Sequence, residues 1–130
     1  MDNKALNYLS LARKGGLAEL GEEPVGAAAR AGKAYVILVA SDASDHTWRR
    51  AKSFAAGTEQ QCVRMEATKD EMGLAIGRTS LAIAAITDVA MALALVKALR
   101  SKALDRSLEV TIPEEVYARL EKEMEAGNGQ

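Results

Sequence analysis

Three residue types that could carry catalysis cluster at one place in the chain. Asp42, Ser44 and His46 lie within a span of five residues, and together they are the types that form a hydrolase triad. In an active triad, however, the side chains converge from separate elements and a third group orients the base. Here they stand between an apolar run and an amphipathic segment, where Asp and Ser commonly cap a helix. We therefore expect Asp42 and Ser44 to end a strand and to cap the next helix.

Other catalytic or metal-binding patterns are absent from the sequence. His46 is the sole histidine, and neither a second histidine nor a cysteine has ligand spacing relative to it. Glu22 and Glu23 are adjacent, so on a helix they point in different directions and do not form an acid and base pair. No Walker glycine loop occurs, and Gly15-Gly16 lacks the spacing of a dinucleotide fingerprint. We expect no enzymatic activity, no metal and no cofactor.

Length and charge define the broad class of the protein. The 130 residues suit one hydrophobic core. The net charge of -1 is uneven, because residues 1–104 hold 14 Lys and Arg against 11 Asp and Glu, whereas residues 105–130 hold 3 against 7. A mildly basic body permits RNA binding without requiring it.

The compartment is predicted from the cysteine count and from hydropathy. The single cysteine, Cys62, excludes an intrachain disulfide and favours a reducing environment, and we expect its thiol to be structural. No segment approaches about 18 uninterrupted apolar residues, and the first residues contain no signal-peptide core. The sequence predicts a soluble, cytoplasmic protein with no membrane contact.

The clearest element is the apolar run 35–40, which follows Gly32 and precedes a Ser/Asp cluster. A continuous run of this kind is typical of a central strand covered by helices on both faces, so residues 36–40 should all be buried. Around it the pattern predicts alternating helices and strands, and hence an α/β sandwich with a small, largely parallel or mixed sheet. The predicted helices are 3–14, 22–31, 44–56, 68–77, 89–102 and a segment opening at 113; the predicted strands are 17–20, 35–40, 61–67, 81–86 and 108–112.

The helix predicted at 44–56 carries the only tryptophan. Trp48 falls on its apolar stripe, and we expect it on the buried side of the helix, against the edge of the sheet. Arg49, Arg50 and Lys52 point elsewhere, and we interpret them as a solvated face rather than a phosphate contact.

Three segments of the sequence, taken in their order along the chain, are similar to a known family. They are 12–23 (ARKGGLAELGEE), 31–34 (AGKA) leading into 40–44 (ASDAS), and 68–78 (TKDEMGLAIGR). Together they resemble the kink-turn RNA-binding ribosomal protein superfamily, of L-seven-Ae or L-thirty-e type, and especially its bacterial YlxQ-like branch. The resemblance covers roughly residues 4–100. It implies a three-layer α/β/α sandwich with about four strands over residues 1–104, to which residues 105–130 add an acidic strand and helix with a frayed end.

The resemblance also implies an RNA site built from two places, the start of the second helix and the loop before the last strand. Carried over, these are Gly21, Glu22 and Glu23, and then Arg78, Thr79, Ser80 and Leu81. The chain departs from the family pattern, because Glu23-Pro24 and Ala27 stand where archaeal members carry the base-reading Asn-Glu and a lysine. Leu17 replaces another lysine, which the YlxQ-like branch carries. The remaining attraction for phosphate would come from Arg78, from Lys33 and from N–H groups that open at Gly21. This predicts weak, salt-sensitive binding.

Three functional interpretations follow. The first is a non-enzymatic, ribosome-associated protein that binds structured RNA, with ribosomal RNA as a candidate. The alternative is a protein-interaction module on the same scaffold, in which the glutamates and the acidic tail meet a basic partner. The third notes that 108–120 resembles the first half of a ribbon-helix-helix DNA-binding arm, whose second helix is missing. We therefore interpret the tail as a lid or a dimerisation strand, and expect a monomer or a weak homodimer.

Overall fold

The computed structural model describes residues 4–56, 61–106 and 114–128. Across these residues the chain alternates helices and strands in the predicted order. The helices are α1 (Lys4–Lys14), α2 (Glu22–Arg30), α3 (Asp45–Ala55), α4 (Lys69–Ala75), α5 (Val89–Arg106) and α6 (Glu114–Asn128). The strands are β1 (Ala18–Leu20), β2 (Val36–Val39), β3 (Gln61–Arg64) and β4 (Ile83–Ile86).

The strands form one mixed sheet in the order β1-β4-β2-β3. β4 runs antiparallel to both of its neighbours, with Leu20 opposite Ala84 and Val39 opposite Ile83. β2 and β3 are parallel. This confirms the predicted small mixed sheet, and it leaves β1 and β3 as the outer strands among the described residues.

The centre of the sheet is β2, as predicted from its apolar run. Val36–Val39 and the following Ala40 are all 0 % exposed. Because successive side chains of a strand point to opposite faces, complete burial requires cover on both sides of the sheet. Full burial of each Val, Leu or Ile side chain contributes about 1.5–3 kcal/mol to folding.

The helices supply that cover in two groups. α2 packs on β1 and β4, and α3, which contacts α2, packs on β2 and β3. The second group is α1, which contacts α4 and α5, with α5 lying on β4. The result is the predicted three-layer α/β/α sandwich, to which α6 is added by packing on α5.

Local capping signals place the helix starts. Ser44 Oγ accepts from the amide three residues on at 3.1 Å. Thr68 and Glu71 form the capping box that the spacing Thr-x-x-Glu predicts. The Thr68 amide donates to Glu71 Oε1 at 2.9 Å, and the Glu71 amide donates to Thr68 Oγ1 at 3.2 Å. Asp88 Oδ2 accepts from the amide three residues on at 2.9 Å. Each bond satisfies a helix N–H that has no partner inside the helix.

Several element boundaries differ from the prediction, and one of them is the end of β3, which lies at Arg64 rather than at 67. α5 continues to Arg106 rather than ending near 102, because nothing in the sequence between these positions breaks a helix. β4 begins at Ile83 rather than at 81, because apolar character marks burial and not pairing. Leu81 is 4 % exposed although it precedes the strand.

The C-terminal helix docks on the body of the protein. Leu120 is 0 % exposed, and Arg119 Nη1 donates to the carbonyl of Tyr35 at 3.3 Å. The strand predicted at 108–112 lies outside the described residues. Among the described residues, no helix has the length and apolar character needed to span a membrane.

Candidate nucleic-acid interface

Antiparallel pairing of β1 with β4 brings together the two segments predicted to form a site, the start of α2 and the loop before β4. The carboxyl end of β1 lies beside the amino end of β4, and the Gly21 amide donates to the Ile83 carbonyl at 3.0 Å. The start of α2 and the loop 78–82 therefore lie at the same end of the sheet, although about 60 residues of chain separate them.

The start of α2 is formed by a glycine in an unusual conformation. Gly21 has φ 95° and ψ 162°, a region that only glycine occupies readily, and it provides no side-chain cap. Its own N–H is used in the bond to Ile83, so the expectation that this amide opens toward a ligand is wrong. Pro24 has no N–H, and the first helical bond runs from the Val25 amide to the Gly21 carbonyl at 3.0 Å. The backbone amides that remain for a ligand at the start of α2 are those of Glu22 and Glu23.

The two glutamates have different surroundings. Glu23 is exposed, whereas Glu22 is half-buried and its Oε2 lies 3.8 Å from Nε of Arg50 on α3. Arg50 also lies over the Phe54 ring, 5.0 Å from its centroid. Arg50 is thus not only a solvated side chain, as the sequence suggested. The pair is partly exposed to solvent and contributes at most about 1 kcal/mol to stability, but it offsets part of the negative charge at the α2 start.

The loop 78–80 is held against α4. A methyl group on Gly73 would lie 2.5 Å from the Ser80 nitrogen and 2.6 Å from its Cα, so only glycine allows this approach. The Arg78 amide donates to the Gly73 carbonyl at 2.8 Å, and the Leu81 amide donates to the Lys69 carbonyl at 3.0 Å. Both ends of the loop are therefore fixed before any ligand binds.

The predicted residues of this loop are partly at the surface. Arg78, Thr79 and Ser80 are exposed and can meet a ligand. Leu81 is buried in the core, where it anchors the loop and presents no side chain to solvent.

Lys33 is not brought to this end of the sheet. It follows the carboxyl end of α2, where its amide donates to the Ala28 carbonyl. Gly21 precedes the amino end of the same helix, and nine helical residues lie between them, a rise of about 14 Å. The amide of Tyr35 donates to Ile86, at the far end of β4 from Ile83. Lys33 therefore lies apart from the other predicted residues.

Two cations that the sequence did not single out lie close to the interface. The Lys69 amide donates to Asp42 Oδ1 at 2.8 Å, and the Ser41 amide donates to the Ala67 carbonyl at 2.9 Å, so the start of α4 adjoins the loop after β2. Arg64 Nη1 donates to the Ser41 carbonyl at 3.1 Å. Lys69 lies inside the capping-box string, and no local pattern distinguishes either cation from an ordinary surface charge.

The residues of the apparent triad have structural roles. Ser44 caps α3 as expected, and its hydroxyl also donates to Thr47 Oγ1 at 3.2 Å. The expectation that Asp42 caps the same helix is wrong, because its Oδ1 accepts from the Lys69 amide at the start of α4. His46 lies exposed in the first turn of α3. Within residues 4–56, 61–106 and 114–128, no group of three or more His, Cys, Asp or Glu side chains is placed to hold a metal ion.

Trp48 lies on α3 and Cys62 on β3, and these two elements pack against each other. Trp48 is half-buried and packs against the core, with the Arg64 guanidinium 4.6 Å and the Lys52 ammonium 6.0 Å from its ring centroid. Burial raises the pKa of the Cys62 thiol from its usual 9.0 to about 11, and the nearby Lys52 opposes this with a smaller lowering effect. The thiol is therefore protonated at neutral pH and is a poor nucleophile, in agreement with a structural role.

Comparisons with known proteins bear on the fold. No protein-family model matches the chain, and no curated protein matches its sequence. A Bacillus halodurans protein of unknown function is 22% identical, with a TM-score of 0.71 over 76% of this chain and 99% of that one. A Giardia lamblia 15.5kD RNA binding protein is 16% identical, with a TM-score of 0.56 over 80% of this chain and 92% of that one. The chain thus has the fold of these two proteins.

Proposed function

We propose that the protein binds structured RNA and is not an enzyme, and that it contacts the RNA with the start of α2 and the loop 78–80. The observation that carries this proposal is the bond from Gly21 to Ile83, which joins these two segments into one surface. The surface lies on the fold of an RNA-binding protein from Giardia. The finer proposal, which rests on the sequence resemblance, is a kink-turn-like or ribosomal RNA and a cytoplasmic, ribosome-associated role.

The chemistry of the surface favours contacts with phosphate over base reading. Arg78 is exposed on a fixed loop and can donate to phosphate oxygens, as can the amides of Glu22 and Glu23. Ala27, one turn into α2, is exposed and has no polar group to read a base edge. The carboxylate of Glu23 opposes phosphate. Binding should therefore be electrostatic, and it should discriminate poorly between folded RNAs.

The test is a titration of labelled kink-turn RNA and of a plain stem-loop at fixed moderate salt. Arg78→Ala should weaken binding to both RNAs by roughly 1 kcal/mol, or about fivefold, because it removes a charge-assisted contact. Arg13→Ala is the matched control, since Arg13 is exposed in the last turn of α1 and precedes β1, at its far end from Gly21. Equal effects of the two variants would contradict the proposed site. If the wild type binds neither RNA, the protein-interaction alternative replaces the proposal.

A further inference from the structure

The two flanks of α3 have different charge environments. On the flank toward α2, Arg50 is paired with Glu22 and lies over Phe54. On the flank toward β3, Lys52 and Arg64 both lie over the ring of Trp48, at 6.0 and 4.6 Å from its centroid. The second flank thus gathers cations around an aromatic ring.

The cations on the β3 flank are held in place before any partner arrives. The Arg64 guanidinium is fixed by the Trp48 ring and by the bond from its Nη1 to the Ser41 carbonyl. A guanidinium has five N–H donors, so this arrangement leaves donors for an anion. Lys52 is positioned over the same ring, and its charge is felt at Cys62 of β3. Arg49 is exposed three residues before Lys52, on the neighbouring helix surface.

This group of cations is continuous with the candidate interface. Arg64 bonds to the carbonyl of Ser41, and the preceding Ala40 donates to the Ala82 carbonyl at 2.9 Å, in the segment between the loop 78–80 and β4. From there the cations extend along α3, over about 12 Å between Ser44 and Lys52. They lie at the edge of the sheet, because β3 has a strand neighbour only on one side among the described residues.

The balance of charged side chains favours binding of a nucleic-acid backbone along the β3 flank of α3. At the start of α2, an RNA backbone meets the carboxylates of Glu22 and Glu23. On the β3 flank the carboxylates of α3 and of the residues just after β3 are Asp45, in the first turn of α3, and Glu66, against the three cations Arg49, Lys52 and Arg64. Prior ordering of Arg64 and Lys52 also reduces the entropy lost when they bind.

We propose that Arg49, Lys52 and Arg64 form a phosphate-binding surface, here called the α3 strip, that contacts the RNA backbone flanking the segment bound at α2 and the loop 78–80. This inference rests on the proposed function and extends it. The α3 strip adds affinity for RNA that reaches past the central site, and it adds no base specificity, because its donors address phosphate.

The test is the salt dependence of RNA binding by the charge-matched pairs Arg49→Ala/Lys52→Ala and Arg13→Ala/Lys14→Ala. Arg13 and Lys14 are exposed in the last turn of α1, away from both surfaces. The probe is a labelled stem-loop carrying a single-stranded extension of about ten nucleotides, compared with the same stem-loop without it. Native fluorescence of Trp48 and urea melts verify that each variant is folded.

The α3 strip variant should lose on the order of tenfold in affinity for the extended RNA at 50–100 mM salt. The slope of log K against log salt should decrease in magnitude by about 1.4–1.8, since each lost phosphate contact removes about 0.7–0.9. The control pair and the RNA without extension should show little change. Equal losses for both pairs, with Arg78 still required, would overturn the α3 strip and leave the proposed function standing. Failure of the wild type to bind either RNA would overturn both.

Discussion

Gly73→Ala tests whether α4 holds the candidate loop in place. The added methyl carbon would lie 2.5 Å from the Ser80 nitrogen, 2.6 Å from the Ser80 Cα and 2.8 Å from the Thr79 carbonyl carbon. All three are backbone atoms, so no side-chain rotation relieves the overlap. Carbon atoms normally approach to about 3.5–4.0 Å, so the loop or the helix must move by roughly 1 Å.

The expected cost follows from two opposing effects. Forcing a methyl group into a packed site costs about 1–3 kcal/mol, and alanine returns up to about 1 kcal/mol through its higher helix propensity. We expect a net loss of about 1–2 kcal/mol in the free energy of unfolding. Because the loop carries Arg78, RNA affinity should fall together with stability.

Urea denaturation followed by circular dichroism measures the loss of stability, and titration of labelled stem-loop RNA measures affinity. Gly15→Ala is the control, because its added methyl would meet atoms only at 3.4 Å and beyond. It should change stability by less than about 0.5 kcal/mol. If Gly73→Ala is as stable as this control and binds RNA like the wild type, the loop does not depend on the close approach of Gly73.

Three further predictions concern Cys62 and the α2 start. With its thiol pKa at about 11, Cys62 should react with iodoacetamide at pH 8 about 100-fold more slowly in the folded protein than in urea, and comparable rates would contradict burial. Because the unfolded thiol loses its proton first, Cys62 should also make stability fall as pH rises from 9.0 to about 11. Glu23→Asn, Pro24→Glu and Ala27→Lys together, all at exposed positions, should raise kink-turn affinity at least about tenfold, and nanomolar, kink-selective binding by the wild type would refute this reasoning.

Local sequence patterns were sufficient to predict the helices and strands and much of their arrangement in layers. Ser44 and the pair Thr68 and Glu71 cap helices where their spacing predicts, because a cap depends on residues within one turn. Either Thr87 or Asp88 could cap α5 from its position, and the structure shows that Asp88 does. The apolar run 35–40 implied a strand buried on both faces, since a short apolar run between Gly32 and a Ser/Asp cluster is typical of such a strand. Trp48 was predicted at the edge of the sheet, where it packs half-buried beside β3.

The arrangement of the candidate site depended on contacts that no local pattern specifies. The sequence left open which strand would lie beside β1, and pairing with β4 decided that Gly21 adjoins the loop 78–82 and that its amide is not available. Lys33 could be assigned to the interface from its charge, but the length of α2 separates it from Gly21.

The charged residues also divide into what the sequence predicts and what only the tertiary structure decides. The sequence determined that Arg50, Lys52 and Arg64 are cations on or beside α3, and the tertiary structure decided that Arg50 meets Glu22 while the other two meet Trp48. The physical reason is how far apart in the chain the interacting residues lie. Capping and burial periodicity act over a few residues and are encoded where they act, whereas strand order and ion pairs join segments distant in the chain and are selected by the packing of the whole core.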